Sequence, residues 1–497
     1  MFRNQYLISS KRAVSTIPNF RNETFGELNI YLESKLTFYK KTINNLEVGF
    51  LGVFFNPFVP DLIGDDLLDE FLQPNANIDS FLKGIEKFSG RFVALFREKD
   101  SYFITGDFKH SKNIFYNNHE DFTVITSSLK LWYTLFDQDP NYDTNTKAFF
   151  ESEIYFRKQQ DWHGPKTFDE NFLKLLPNHY LNIKSKTVKR ISLFTSKLSF
   201  EEVIENSFQI LKGTYQYLFK NHQIIQPLTA GWDSRILLGA SLGTENFIKY
   251  YVFRRADNEN NPDIHLSEQI AKAFNLNFSI FDVEDFKEDF IKAYEIHTHY
   301  PNYLLKVKDI QFHYHNHASQ ENLVNVSGVC GNLFRFVYGC TNKIVPSKEE
   351  LYCLSAYGPY SKTTTNEIDL WYDNTKSYAI EHNISMIDLF FIENRLGNWG
   401  SIYPYEQDMA LDEVDPFSNK ALMYPILNLD KKHRGYNKNQ LSCKLLERFD
   451  KRLCDFPFNP HKGPLHMFII RNFETNLIYK KYKFIKSKIL QVAGFHP

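Results

Sequence analysis

Cysteine is scarce in this chain of 497 residues. Its five cysteines are Cys330, Cys340, Cys353, Cys443 and Cys454, an odd number with no CxxC and none in the first 329 residues. That argues against a disulfide framework or a zinc ribbon, and the expected location is a reducing compartment, the cytoplasm. A charge of one sign is also missing. There are 58 Lys and Arg against 59 Asp and Glu, a net charge of −1, so nucleic acid is not an expected partner. No stretch approaches the ~18 uncharged apolar residues of a membrane span. The opening "MFRNQYLISSKRAV" has no apolar core of a secretory signal. Repeats and low-complexity blocks are absent too. What is present is a globular composition, 43% hydrophobic and 24% charged, at a length that calls for two or more domains.

The periodicity changes along the chain. Up to about residue 185, short apolar runs are separated by polar turns: "VGFLGVFF" (48–55), "GRFVALF" (90–96), "SYFITGDF" (101–108) and "FTVITSS" (122–128). This spacing predicts antiparallel sheets, closed by a hairpin over 181–194 and a linker near 195–200. From 199 the pattern becomes helical. Ser199 stands at an N-cap position with Glu202 three residues on, the signature of a capping box, ahead of Val203, Phe208, Leu211 and Leu218. Strands at 223–228, 247–253, 277–283 and 322–328 then alternate with helices, one of them opened by Asn261-Pro262. That alternation predicts a doubly wound parallel sheet. The remainder reads as mostly helical.

The loop after the first of these strands is "LTAGWDS" (228–234). In a doubly wound sheet, ligands bind beyond the carboxyl ends of the strands. Amides that open a helix are unpaired and favour an anion. Gly231 allows close approach, Thr229 and Ser234 carry hydroxyls, and Asp233 would face a phosphate through Mg²⁺. No GKS or GKT occurs, so the loop is not of the Walker type. The plainer alternative is a strand-to-helix turn with Asp233 as N-cap.

"LTAGWDSR" resembles the pyrophosphate loop of the asparagine synthetase family, written L-S-G-G-x-D-S, whose relatives include β-lactam synthetases and lasso-peptide cyclases. Further segments are similar to that family in order: "FSGRFVALF" (88–96), "GDFKHSKNIFY" (106–116), "TSSLKLW" (126–132), "KLLPNHYLNI" (174–183), "VSGVCGNLFRFVYG" (326–339), "EVDPFSNKALM" (413–423) and "FNPHKGP" (458–464). The resemblance implies an N-terminal αββα sandwich of the Ntn type over 1–195. A doubly wound ATP-pyrophosphatase domain with added helices is implied over 196–497. It also implies an ATP- and Mg²⁺-dependent ligase that adenylates a carboxylate, releases pyrophosphate and transfers an amine or ammonia. A homodimer is compatible with it.

Carried over by position, the resemblance assigns ATP or pyrophosphate contacts to Leu228, Thr229, Ala230, Gly231, Asp233, Ser234, Val252, Ser327 and Gly328. It assigns metal binding to Asp233 and, weakly, to Asn332, and catalytic cations to Lys462 and Arg335. Three departures stand out. Residue 2 is Phe where the family's glutaminase has Cys, so no glutaminase activity is expected. Ala230 replaces Gly, at a cost of about 1–2 kcal/mol if the position is left-handed. Asn332 replaces an acid, a weaker ligand for a hard cation. These leave a catalytically inactive nucleotide- or partner-binding member as the alternative. Outside the motifs, His313 and His317 stand at i, i+4, a spacing that suits zinc but lacks a third ligand; lining a pocket is the preferred role. The Lys-rich "YKKYKFIKSK" (479–488) reads as a solvated helix face.

Overall fold

The computed structural model describes residues 2–460 except 119–121, 153–154, 156–161, 193–196, 256–260, 299–305, 337, 339–342, 356–361 and 436–438, together with residue 485. In its first part the strands are β1 (Tyr6–Ser9), β2 (Phe20–Phe25), β3 (Leu28–Glu33), β4 (Phe38–Ile43), β5 (Leu46–Phe55), β6 (Ser89–Glu98), β7 (Ser101–Gly106), β8 (Phe115–Asn117), β9 (Val124–Thr126), β10 (Phe172–Lys174), β11 (His179–Asn182) and β12 (Thr187–Arg190). They form two antiparallel sheets, ordered β10-β8-β9-β1-β3-β2 and β12-β11-β7-β6-β5-β4.

The central strands are covered on both faces, which is why β5 and β6 read as continuous apolar runs rather than as alternation, while the edge strands β2, β4 and β12 are polar and more exposed. Along β5 and β6 successive side chains point to opposite faces. Leu51, Val93 and Leu95 pack between the sheets with Ile8, Ile30 and Leu32. Phe50, Phe92 and Phe96 face outward onto Phe81 and Leu82 of helix α1 (Ile78–Gly84). Helix α2 (Leu129–Phe136) covers the outer face of the other sheet through Leu131 and Leu135, against Leu7 and Tyr31. The result is the expected αββα sandwich.

The second part opens with helix α3 (Phe200–Asn221), whose Ser199–Glu202 capping box forms with both of its hydrogen bonds. There follow β13 (Gln223–Pro227), α4 (Trp232–Ser241), β14 (Ile248–Arg254), α5 (Pro262–Ala273), β15 (Phe278–Asp282), α6 (Val307–His317), β16 (Leu323–Val326) and β17 (Asp412–Val414). The strands pair in parallel in the order β15-β14-β13-β16-β17. Neighbours in sequence again serve opposite faces: Ile224 and Tyr250 join the core with α3 and α4, while Ile225 and Tyr251 join the core that contains α2. One face of the parallel sheet is thus packed against the sandwich's own helical layer. The doubly wound sheet is the one expected, with a fifth strand, β17, that the sequence pattern did not show; three residues with two acids carry no periodicity.

Helix α3 crosses the chain just after β5. Phe55 stacks on Tyr217 with ring centroids 3.9 Å apart and planes 11° apart. At Gly213 a Cβ would lie 1.8 Å from the carbonyl oxygen of Pro57. That contact is with backbone, which cannot swing aside. Gly213→Ala is therefore expected to destabilise the protein by on the order of 2 kcal/mol in urea unfolding, because overpacking outweighs the helix propensity that Ala adds. An unchanged or raised midpoint would show that the crossing is looser than this geometry requires.

Candidate functional site

The strand order reverses between the parallel neighbours β13 and β16: the chain after β13 continues to β14 on one side, and the chain after β16 to β17 on the other. A crevice beyond their carboxyl ends is the position that doubly wound sheets offer a ligand. Residues 228–234 follow β13 and Ser327 follows β16, so the two loops form the walls of that crevice.

The first loop is tied down at every turn. The Leu228 N–H donates to Tyr251 O at 2.8 Å, which sets Val252, buried in the next strand, level with the loop. The hydroxyls of Thr229 and Ser234 lie 2.9 Å apart, and Thr229 Oγ1 accepts the Gly231 N–H at 3.2 Å. Gly231 is the N-cap of α4, with an extended backbone (φ −75°) and no side-chain cap, so Asp233 sits inside the first turn and is not the cap. The amides of Trp232, Asp233 and Ser234 belong to the turn that an α-helix leaves without intrahelical partners. Ala230 is not among the residues of positive φ, so its methyl carries no left-handed penalty.

The second loop faces Asp233. A Cβ on Gly331 would lie 3.0 Å from the Asp233 carboxyl, and one on Gly328 3.4 Å from its Cβ. Arg335 reaches to 3.8 Å from Asp233 Oδ2. Asn332 holds Arg335 in place: its Oδ1 accepts from the guanidinium at 2.8 Å, and its Nδ2 donates to Val329 O at 3.1 Å. The Asn332 oxygen is thus engaged by a cation. Burial pushes the Asp233 carboxyl above its ordinary value, Arg335 opposes that shift and Asp415 adds to it. Ser327 Oγ donates to Glu413 Oε1 at 2.8 Å.

Of the residues singled out from sequence, the structure gathers 228–231, 233, 234, 327, 328, 332 and 335 around one crevice. Lys462 and the Lys-rich 479–488 lie outside the described residues, apart from residue 485. Among the described residues no group of three or more His, Cys, Asp or Glu side chains is arranged to hold a metal. His313 and His317 instead face each other, Nδ1 to Nδ1 at 3.2 Å, with His313 edge-on to Tyr251 and Phe253. They pack in the core beside the sheet, which accounts for them without a zinc ion.

Three features of the site were not singled out from sequence. Asp263, in the first turn of α5, accepts the Ala230 N–H at 2.9 Å; an acid just after Asn261-Pro262 was the available signal. Lys109, Glu413 and Asp415 form a buried charged cluster behind the second loop. Finally, residues 453–459 strap the first loop. Arg235 donates to Phe456 O at 2.7 Å and Pro457 O at 3.0 Å, the Asn459 N–H donates to Ala230 O at 3.2 Å, and Phe458 stacks on Trp232 at 3.5 Å with planes 5° apart. Among the described residues no helix is long and apolar enough to cross a membrane.

No protein-family model and no curated protein matches the chain. Among solved structures it is similar to an NH₃-dependent NAD synthetase from Campylobacter jejuni, at 14% identity over 40% of this chain and 93% of that one, with a TM-score of 0.23. It is also similar to the glutamine phosphoribosylpyrophosphate amidotransferase of B. subtilis, at 8% identity over 67% of this chain and 71% of that one, with a TM-score of 0.22. Likenesses this slight carry no argument; the fold stands on the strand pairings described above.

Two outcomes follow from this geometry. Phe458→Ala removes both the stack on Trp232 and the face on which the Arg235 guanidinium lies, 3.9 Å from the ring centroid. It should cost about 2 kcal/mol in urea unfolding, from an aromatic pair, a cation–π contact and lost burial; no loss would mean that the strap does not hold the loop. Burial also pushes His313 down to about 3 and His317 to about 4. Both stay neutral in the folded protein, whereas the unfolded chain takes up protons below its ordinary histidine pKa of about 6.5. Stability should therefore fall as pH drops from about 6.5 toward 4, and His313→Asn should flatten that slope in pH-dependent melting.

Proposed function

We propose that the chain is an ATP-dependent amide-forming ligase of the asparagine synthetase type, with 1–195 and 196–497 as its two domains. The observation that carries this reading is Asp233 in the first turn of α4, at the point where the strand order reverses, with Arg335 opposite it. In the proposed reaction the carboxylate of a small molecule or peptide attacks the α-phosphate of ATP and pyrophosphate leaves. An amine or ammonia then displaces AMP to form the amide.

The residues of the crevice suit that charge flow. Loop amides at the α4 N-terminus favour the leaving pyrophosphate, and Arg335 supplies a cation beside it. Lys462 is the proposed second cation, by its motif. Asp233, with about a fifth of its side chain open (22%), fits Mg²⁺ held by one carboxylate and substrate phosphates, the usual manner for this ion. Mg²⁺, when bound, would neutralise phosphate charge. Asn332 does not fit as a ligand, because its oxygen already accepts from Arg335. Phe2 is 1% exposed and packs in the core, so the position where the resembled family has its thiol holds a buried ring. The amine is accordingly free ammonia or part of the substrate.

A second reading, an inactive nucleotide-binding member, is favoured by two observations: Asn332 adds no negative charge for a metal, and the Asp263 carboxylate occupies the Ala230 amide. One experiment separates the two. Purified protein incubated with Mg-ATP and a panel of carboxylates and amines should release AMP and pyrophosphate in equal amounts. Asp233→Asn should lower that rate by about 10²-fold or more, the scale of losing a preorganised electrostatic partner. ADP as product would overturn the ligase reading, and nucleotide binding without turnover across the panel would select the second.

A further inference from the structure

Lys109 follows β7 in the sandwich, yet its ammonium lies among groups of the parallel-sheet half. Nζ is 3.3 Å from Asp415 Oδ2 and 3.6 Å from Glu413 Oε1, with all three side chains at most 2% exposed. The turn that presents it is held by Asp107, which accepts the Lys109 N–H at 3.1 Å and the Ser418 hydroxyl at 2.9 Å. Burial alone would lower the lysine's pKa, but Asp415 and Glu413 more than offset it and keep the ammonium charged.

The same two carboxylates organise the second loop of the crevice. Asp415 Oδ2 accepts the Cys330 N–H at 2.9 Å, Asp415 Oδ1 accepts the Phe417 N–H at 3.0 Å, and Glu413 Oε1 accepts the Ser327 hydroxyl. Cys330 precedes Gly331, which abuts Asp233, and Phe417 presents its ring to the same glycine at 2.8 Å from an added Cβ. Without a cation, two buried carboxylates would repel one another and release these contacts.

We propose that Lys109 is a positioning residue for the crevice: a cation supplied by the sandwich that holds Glu413 and Asp415 together and, through them, seats the 327–331 turn against Asp233. Its effect on nucleotide binding rests on the reading of the crevice given above; its effect on the turn does not. The sandwich thus has a role in the site that requires no thiol.

The test is Lys109→Met in the full chain, followed by hydrogen exchange and Mg-ATP titration. Exchange at the Cys330 and Phe417 amides should rise about tenfold or more while β13 and β14 stay protected, a local rather than a global opening. Mg-ATP should bind about 10-fold or more weakly, as for loss of a supporting shell, and Lys109→Arg should recover most of both effects. Unchanged exchange at both amides, or a rise spread evenly over the chain, would overturn the proposal. Should Lys109→Met fail to fold, the double variant Lys109→Met/Glu413→Gln removes the cation together with the repulsion between the two carboxylates and leaves Asp415 to accept both amides. It should fold and keep Cys330 and Phe417 protected, and selective loss of their protection there would overturn the proposal. A wild-type chain that binds no Mg-ATP would sink the nucleotide reading, while the exchange result still decides the role of Lys109.

Discussion

The seam between the sandwich and the parallel sheet is held by buried charge. Arg91 of β6 and Lys109 after β7 are cations of the first half, and their carboxylate partners, Asp408, Glu413 and Asp415, all flank or form β17 in the second. The Arg91–Asp408 pair is bidentate, with its second hydrogen bond at 2.7 Å, a geometry only a guanidinium offers. Charges this deep are costly to desolvate, so such pairs are weak grounds for claiming net stability. What they do impose is registry: with either half displaced, cations and carboxylates would be buried unpaired. The seam therefore tolerates one arrangement of the halves, and β17 is the element on which that arrangement converges.

The crevice inherits its shape from this constraint. β17 pairs with β16, so whatever fixes β17 also fixes the strand that delivers Ser327 and Gly328. On the other wall, the 453–459 strap and the α5 terminus clamp the Thr229–Ser234 loop through Arg235, Phe458 and Asp263. Two rigid walls meeting at Asp233 suit electrostatic preorganisation, in which dipoles and charges are aimed before a ligand arrives.

How much of this could be read from the sequence depended on how local the determinant was. The Ser199–Glu202 capping box, the Asn261 cap and the Thr229–Ser234 turn are each made by residues a few positions apart, and each was legible. The polar β2 and the three-residue β8, β10 and β17 were not, because short or two-sided strands lack a periodic signal. At the site, Asp233, Asn332 and Arg335 were singled out within their motifs, whereas Lys109, inside the segment 106–116, was not. In "GDFKHSK" it looks like one more lysine of a polar turn, and only the fold places it beside acids some 300 residues away. The sequence also did not show the contact that Asn332, read as a weakened metal ligand, makes in the fold: its Oδ1 accepts a hydrogen bond from Arg335.

The hydrogen bond between Asn332 and Arg335 bears on what a neutral residue does at this position. An acid at 332 would pair with Arg335 at close range and compete with Asp233 for it. A neutral amide accepts one guanidinium hydrogen bond and leaves the cation's charge directed at Asp233, which burial otherwise pushes toward protonation. The same logic applies at the seam, where Asp415 adds to the negative field on Asp233 and Lys109 compensates Asp415. The crevice is therefore one coupled set of charges drawn from both halves. Arg335 faces Asp233 directly, whereas Lys109, which belongs to the sandwich, bears on it only through Asp415.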